Sequence, residues 1–242
     1  MVLTVLSDEI ASINTNVDPY DMFSGPVESS KQEYTHVPDN GHAMAPYMMS
    51  VGLWVGTLAF CIMYPLTKVN GELKSGFRWW LAKATVLHVL TQIMAVLMLF
   101  VLHKACGFTP ASWSKAIIVA CMASIAFMSI QYFMNVAMGK VGSFLMLIFM
   151  VIQLAGSAGT YPVEISGAFV SKIHALVPFT YTVDAFRIAI AGKGSIVPCC
   201  IVMGVLVVVF SVLTVILFHF RAKWKETGRR CLYDFIEDKG LA

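Results

Sequence analysis

The chain has 242 residues, of which 58% are hydrophobic and 13% charged, and its formal net charge is +3. A soluble domain carries about 25% charged residues, so this composition excludes one, and a charge of +3 is too weak to draw the protein onto nucleic acid. The expectation is an all-α integral membrane protein whose first partner is the lipid bilayer.

Residues 1–46 carry seven acidic side chains against Lys31 alone, and Pro19, Pro26, Pro38 and Gly41 interrupt regular structure. They read as an extended exofacial segment, and no charged n-region, apolar h-region and cleavage site is found in them. Five apolar runs follow at 47–66, 79–102, 113–138, 141–158 and 197–220. Each approaches or exceeds the roughly 20 residues that cross about 30 Å of hydrocarbon, so five transmembrane helices are expected. Between the first two lies the loop 67–78, TKVNGELKSGFR, ahead of Trp79 and Trp80, an aromatic pair suited to the water and lipid boundary.

Within the spans no Asp, Glu, Lys or Arg stands at mid-membrane, which disfavours coupling to an ion gradient. Polar residues do occur: His88 and Gln92 in the second span, Gln131 and Asn135 in the third, Gln153 in the fourth. The first two pairs are spaced i to i+4 and each projects from one face. They form a candidate polar seam, read either as a substrate path or as interhelical hydrogen bonds that fix packing. Ala116, Ala120, Ala123, Ser124, Ala126 and Ser129 in the third span, and Gly52 and Gly56 in the first, allow close helix approach within a bundle or across a homodimer.

The stretch 153–190 is too polar to cross a bilayer and too apolar for an ordinary loop. Gly156, Gly159 and Pro162 break the fourth run. Ser166 then offers an N-cap to a helix over 167–177, Pro178 ends it, and a second helix begins near Thr180. In that helix Asp184 and Arg187 lie three apart, and are expected to pair or to bind neighbouring backbone groups. Such an exofacial pair of helices over 166–190 lies at, or dips into, the interface before the last span. Glu164, beside the break, reads as a solvated or capping carboxylate more than a functional one, and His174 as a packing residue.

Lys and Arg counts set orientation. With the N-terminus outside, eleven basic residues fall in the cytoplasm and six outside, which favours a cytoplasmic C-terminus and a plasma-membrane location. The tail 221–242 is basic and then acidic, and Arg221 to Arg230 suit anionic headgroups. Of six cysteines, Cys106 and the Cys199 and Cys200 pair share the outer side, where a disulfide is permitted; the others read as apolar fillers. There is no metal-ligand spacing, no catalytic motif and no phosphate-cradling loop, since Gly192, Lys193, Gly194 and Ser195 fail the required spacing. No enzyme activity and no cofactor are expected.

The run G-T-Y-P-V-E at 159–164, with H-A-L-V-P-F-T-Y-T-V-D-A-F-R at 174–187, resembles the C-terminal membrane region of the YhgE/Pip (phage infection protein) family. The Pro-Phe-Thr-Tyr to Arg part is also similar to the segment before the last span of ABC-2-type permeases. A-P-Y at 45–47 and G-L-W-V-G at 52–56 extend the likeness, which covers about residues 20–230. The resemblance implies a partly re-entrant helical pair, and the membrane part of an export system energised by a separate ATPase that would face the loop 67–78. It equally implies the alternative of a non-transporting envelope anchor, phage receptor or type VII secretion accessory protein. Longer family members resemble one N-terminal span, a large extracellular region and five further spans, and this sequence matches their last part.

Overall fold

The computed structural model describes residues 37–67, 75–159 and 167–226, with side chains to residue 224. Among these residues there are seven helices and no strand: α1 Asn40–Met63, α2 Gly76–Cys106, α3 Trp113–Met138, α4 Lys140–Gly156, α5 Ala168–His174, α6 Pro178–Ala191 and α7 Val197–Glu226. Four of them, α1, α2, α3 and α7, are long and apolar enough to cross a membrane, whereas α4 has 17 residues and is shorter.

The small residues of α3 decide what stands at the centre. Ala116, Ala120, Ala123, Ala126 and Ser124 are fully buried, and α1, α2, α4, α6 and α7 all pack around them. Of its most apolar window 61% is buried, against 22% for α2 and 17% for α7, which turn wide apolar faces outward. Outward apolar surface on this scale is consistent with helices that lie in a membrane.

Helix α1 begins seven residues before the sequence suggests. Asp39 caps it, its carboxylate accepting the His42 backbone N–H at 2.8 Å. Pro46 lies inside the helix; all it removes is one N–H that would have bonded the His42 carbonyl, and Ser50 Oγ donates to the Pro46 carbonyl at 2.8 Å. Helix α2 likewise starts at Gly76, inside the expected loop, because its first turn lies against α7. A Cβ on Gly76 would sit 2.6 Å from the His219 backbone nitrogen. Trp79 is accordingly buried, packed at a tilt against Phe218 with centroids 4.5 Å apart, and does not face lipid as its place in the sequence suggests.

Helices α3 and α4 form a hairpin joined by one residue. Gly139 takes φ 60°, ψ −136°, a conformation open to glycine, and serves both as the end of α3 and the start of α4. Its N–H donates to the Asn135 carbonyl at 2.8 Å, and its own carbonyl accepts from Ser143 N at 3.3 Å. Gly142 then rests directly on the α3 backbone.

Helix α7 continues to Glu226, so the start of the expected tail is helical. Arg221, assigned from sequence to headgroups, is instead buried, and its Nη1 donates to the Val136 carbonyl at 3.1 Å. A cation there satisfies a carbonyl at the end of α3 and complements its dipole. Cys106, Cys199 and Cys200 are free thiols, so the disulfide considered from sequence is not formed.

Candidate functional site

The polar residues singled out in the spans resolve into two groups. On the α2 and α3 faces, Gln92 Nε2 donates to Ser124 Oγ at 2.8 Å and to the Cys121 carbonyl at 3.2 Å. One turn away, His88 Nδ1 donates to the Ala84 carbonyl at 2.7 Å and Nε2 meets Ser129 Oγ at 3.3 Å. In the hairpin, Gln131 Nε2 donates to the Trp54 carbonyl at 3.0 Å, Asn135 Nδ2 to the Gln131 carbonyl at 2.8 Å, and Ser143 Oγ to Asn135 Oδ1. These bonds join α2 to α3, α3 to α1 and α3 to α4. Ser143 was not singled out from sequence, though its position four residues past Gly139 places it opposite Asn135 in a helical hairpin.

Gln153 is different. It is fully buried, and neither amide atom has a hydrogen-bond partner. It lies between Phe149, which packs on Trp54 at 5.9 Å, and Gly156, whose added Cβ would meet Val177 at 3.3 Å. The fully buried Ser157 Oγ and Trp54 Nε1 are also unpaired. Burying such groups unbonded costs about 1–3 kcal/mol each, and Gln131 Oε1, Tyr132 OH and Trp79 Nε1 are unpaired elsewhere in the bundle.

That region faces the start of α6. Pro178 opens the helix at its first turn, two residues before Thr180 and not as the terminator of the previous piece, because proline's fixed φ suits that position and its missing N–H is no loss there. Helix α5 ends earlier, at His174, and Gly167 holds its N-cap position; Ser166, Pro162 and Glu164 lie outside the described residues. His174 Nδ1 donates to the Gly156 carbonyl at 2.7 Å, while Thr180 Oγ1 donates to the His174 carbonyl at 2.5 Å and Tyr181 OH to that of Ala175 at 2.7 Å. A tight polar bend therefore joins α4, α5 and α6.

Helix α6 descends into the bundle at one end only. At its C-terminus the carbonyls of Ile190 and Ala189 accept from Ala111 N and Ser112 N, at the very start of α3. Ten residues back, Phe179 is fully buried against Trp54 and Phe127, with centroid distances of 5.6 and 5.4 Å. Ten helical residues rise about 15 Å. Phe127 lies fourteen residues into α3, so the N-terminal end of α6 sits beside the middle of α1 and α3.

Arg187 secures the other side of α6. Its Nη1 donates to Asp184 Oδ1 at 3.2 Å, and its Nη2 to the carbonyls of Ala158 at 2.6 Å and Gly159 at 3.3 Å. The guanidinium thus makes both the ion pair and the backbone bonds expected from sequence, and the carbonyls it meets tie α6 to the residues that follow α4. The pair is 42% and 45% exposed, so its own worth is small. The carbonyl bonds carry more, and Arg187→Ala should lower stability by about 1 kcal/mol while Asp184→Asn costs less than about half that. Thermal unfolding of the two variants in one detergent separates these contributions. Equal losses would return the weight to the ion pair.

Taken together, the fold defines an all-helical protein of membrane character, with a central helix, a one-residue hairpin and a short helix inserted from one end. The chain is 30% identical over 219 residues to the Uncharacterized protein YhgE of Bacillus subtilis (strain 168), which supports a relation to that protein. The match covers 89% of this chain and 28% of the relative, so the chain spans less than a third of the length of the curated relative it matches. No family model and no solved structure matches it.

Proposed function

We propose that this chain is the membrane-embedded, permease-like part of an ABC-2-type export system, dependent on a separate ATPase for energy. The observation that carries the reading is the placement of α6, with Phe179 against Trp54 and Phe127 at mid-bundle and Ala189 bonded to the start of α3. If α3 crosses the bilayer, α6 reaches about half of its roughly 30 Å hydrocarbon and leaves by the side it entered. In this reading α4 crosses as the fifth span, short because it ends at the buried polar bend. The N-terminus lies outside and the C-terminus in the cytoplasm, following the eleven-to-six basic asymmetry.

The unpaired Gln153, Ser157 and Trp54 groups beside the start of α6 would be the place where packing can rearrange, since an already unsatisfied contact loses little when it opens. The chain itself would neither bind nor hydrolyse ATP, as it has no phosphate-cradling loop. The loop 67–78 is the expected docking surface for the ATPase.

The second reading, a non-transporting envelope or secretion anchor, is favoured by the relative's length, of which this membrane region matches only 28%. Affinity purification from cells, with and without replacement of residues 68–74 by Gly and Ser, which leaves the first turn of α2 intact, distinguishes the two. Recovery of an ATPase that is lost on loop replacement supports the permease. Recovery of envelope or secretion proteins alone, unaffected by the loop, supports the anchor.

A further inference from the structure

A cavity of about 440 Å3 lies between the N-terminal end of α1 and the C-terminal end of α2, within the range of about 300–1,000 Å3 typical of small-molecule sites. Its walls are soft and apolar. Met44, Met48 and Met49 line it from α1 and Met98 and Cys106 from α2, while Gly52 lets the two helices leave a gap. Unbranched, polarisable thioethers adapt to a flexible occupant better than branched side chains do. The gap opens where both helices face outward: Met48 is 57% exposed and Gly52 is exposed on the same stretch of α1. Against such a surface the surrounding material is the acyl chain of a lipid.

The mouth is charged. His42 has both ring nitrogens engaged, Nδ1 with Asp39 Oδ1 at 2.9 Å and Nε2 accepting the Thr109 N–H at 3.1 Å, and its ring stacks on Phe108. This frame fixes Asp39 at the rim, its carboxyl held below the ordinary range by the His42 hydrogen bonds and 58% exposed. A carboxylate thus stands at the mouth of an apolar slot.

We propose that this crevice is a binding site for one phospholipid of the adjoining leaflet, its acyl chain between α1 and α2 and its amine on Asp39. The exposed carboxylate at the mouth fits a headgroup with a primary amine, such as phosphatidylethanolamine. The site requires only that α1 and α2 lie in a bilayer, and holds whether or not the chain is part of an exporter.

The test is photolabelling of the full chain in nanodiscs of phosphatidylethanolamine and phosphatidylglycerol, with a diazirine on the acyl chain of one or the other and adducts mapped by mass spectrometry. Adducts of the amine lipid should concentrate on residues 44–52 and 98–106 over those on α7. Gly52→Leu should lower them about fivefold without changing α7 labelling. A Cβ at Gly52 meets only Met98 Sδ at 3.8 Å, so the helix tolerates a side chain there, and Met98→Phe fills the slot from the other wall should the first variant misfold. Asp39→Asn, which keeps the helix cap, should erase the preference for the amine headgroup. Labelling no denser than on α7, or unchanged in both filling variants, would overturn the site. A disulfide between two copies of a Gly52→Cys variant, with no lipid adduct, would assign the face to a dimer and overturn it equally.

Discussion

Gly142→Ala should destabilise the fold by about 3 kcal/mol, at the upper end of overpacking costs. A Cβ at this position would lie 2.2 Å from the Met134 carbonyl oxygen and 2.7 Å from its carbon. Both atoms are backbone in the fully formed α3, so neither can turn aside. Relief requires parting the hairpin, which would pull Ser143 from Asn135 and Asn135 from Gln131. Gly52→Ala is the control, because its Cβ finds only a flexible sulfur at 3.8 Å. That change should be neutral, or stabilising by up to about 1 kcal/mol through helix propensity. Thermal unfolding of the two variants in the same detergent checks the contrast, and similar stabilities would mean that α3 and α4 do not meet as described.

Trp54→Ala carries the next largest expected effect, a loss of about 3–5 kcal/mol. The indole is fully buried and touches Phe127 of α3, Phe149 of α4 and Phe179 of α6, at centroid distances of 5.0, 5.9 and 5.6 Å. In a bilayer, apolar burial between helices gains little from water, so the loss comes from dispersion and from the cavity left behind. Because Phe179 anchors the N-terminal end of α6, the same change should loosen α6 before the rest of the bundle. Hydrogen exchange over 178–191 should rise ahead of global unfolding. Uniform exchange across α1, α3 and α6 would separate α6 mobility from this contact.

Much of the architecture was legible because membrane helices announce themselves by length and hydropathy. The ends of α3 and the start of α7 fell where the apolar runs 113–138 and 197–220 placed them. The start of α1 did not, since Gly41 reads as an interruption of the segment 1–46, whereas Asp39 caps the helix ahead of it and Pro46 forgoes only one N–H. Pro178 illustrates the same ambiguity: the residue that cannot continue one helix is well suited to open the next. Arg221 looked like a headgroup ligand because sequence shows its charge and not the open carbonyls of α3 that it meets.

The site was legible residue by residue but not as an arrangement. Spacing placed His88 and Gln92 on one face, and Gln131 and Asn135 on another, yet their partners Ser124 and Ser129 follow only from how α2 and α3 are docked, and Ser143 only once the turn at Gly139 is known. Gln153 could not be separated from the bonded carboxamides without the bundle around it. Arg187 offered an i to i+3 partner in sequence, and its bonds to Ala158 and Gly159 depend on the chain returning past the end of α4.

The central claim is that α4 crosses the bilayer and α6 enters and leaves by one side, and accessibility of single cysteines in a cysteine-free background tests it most directly. Thr109→Cys, Gly167→Cys and Ser195→Cys occupy exposed positions after α2, before α5 and after α6, and Ser75→Cys precedes α2. The account predicts that the first three react with an impermeant maleimide in intact cells and that Ser75→Cys reacts only after permeabilisation. Gly167→Cys protected in intact cells, or Ser75→Cys labelled from outside, would contradict it.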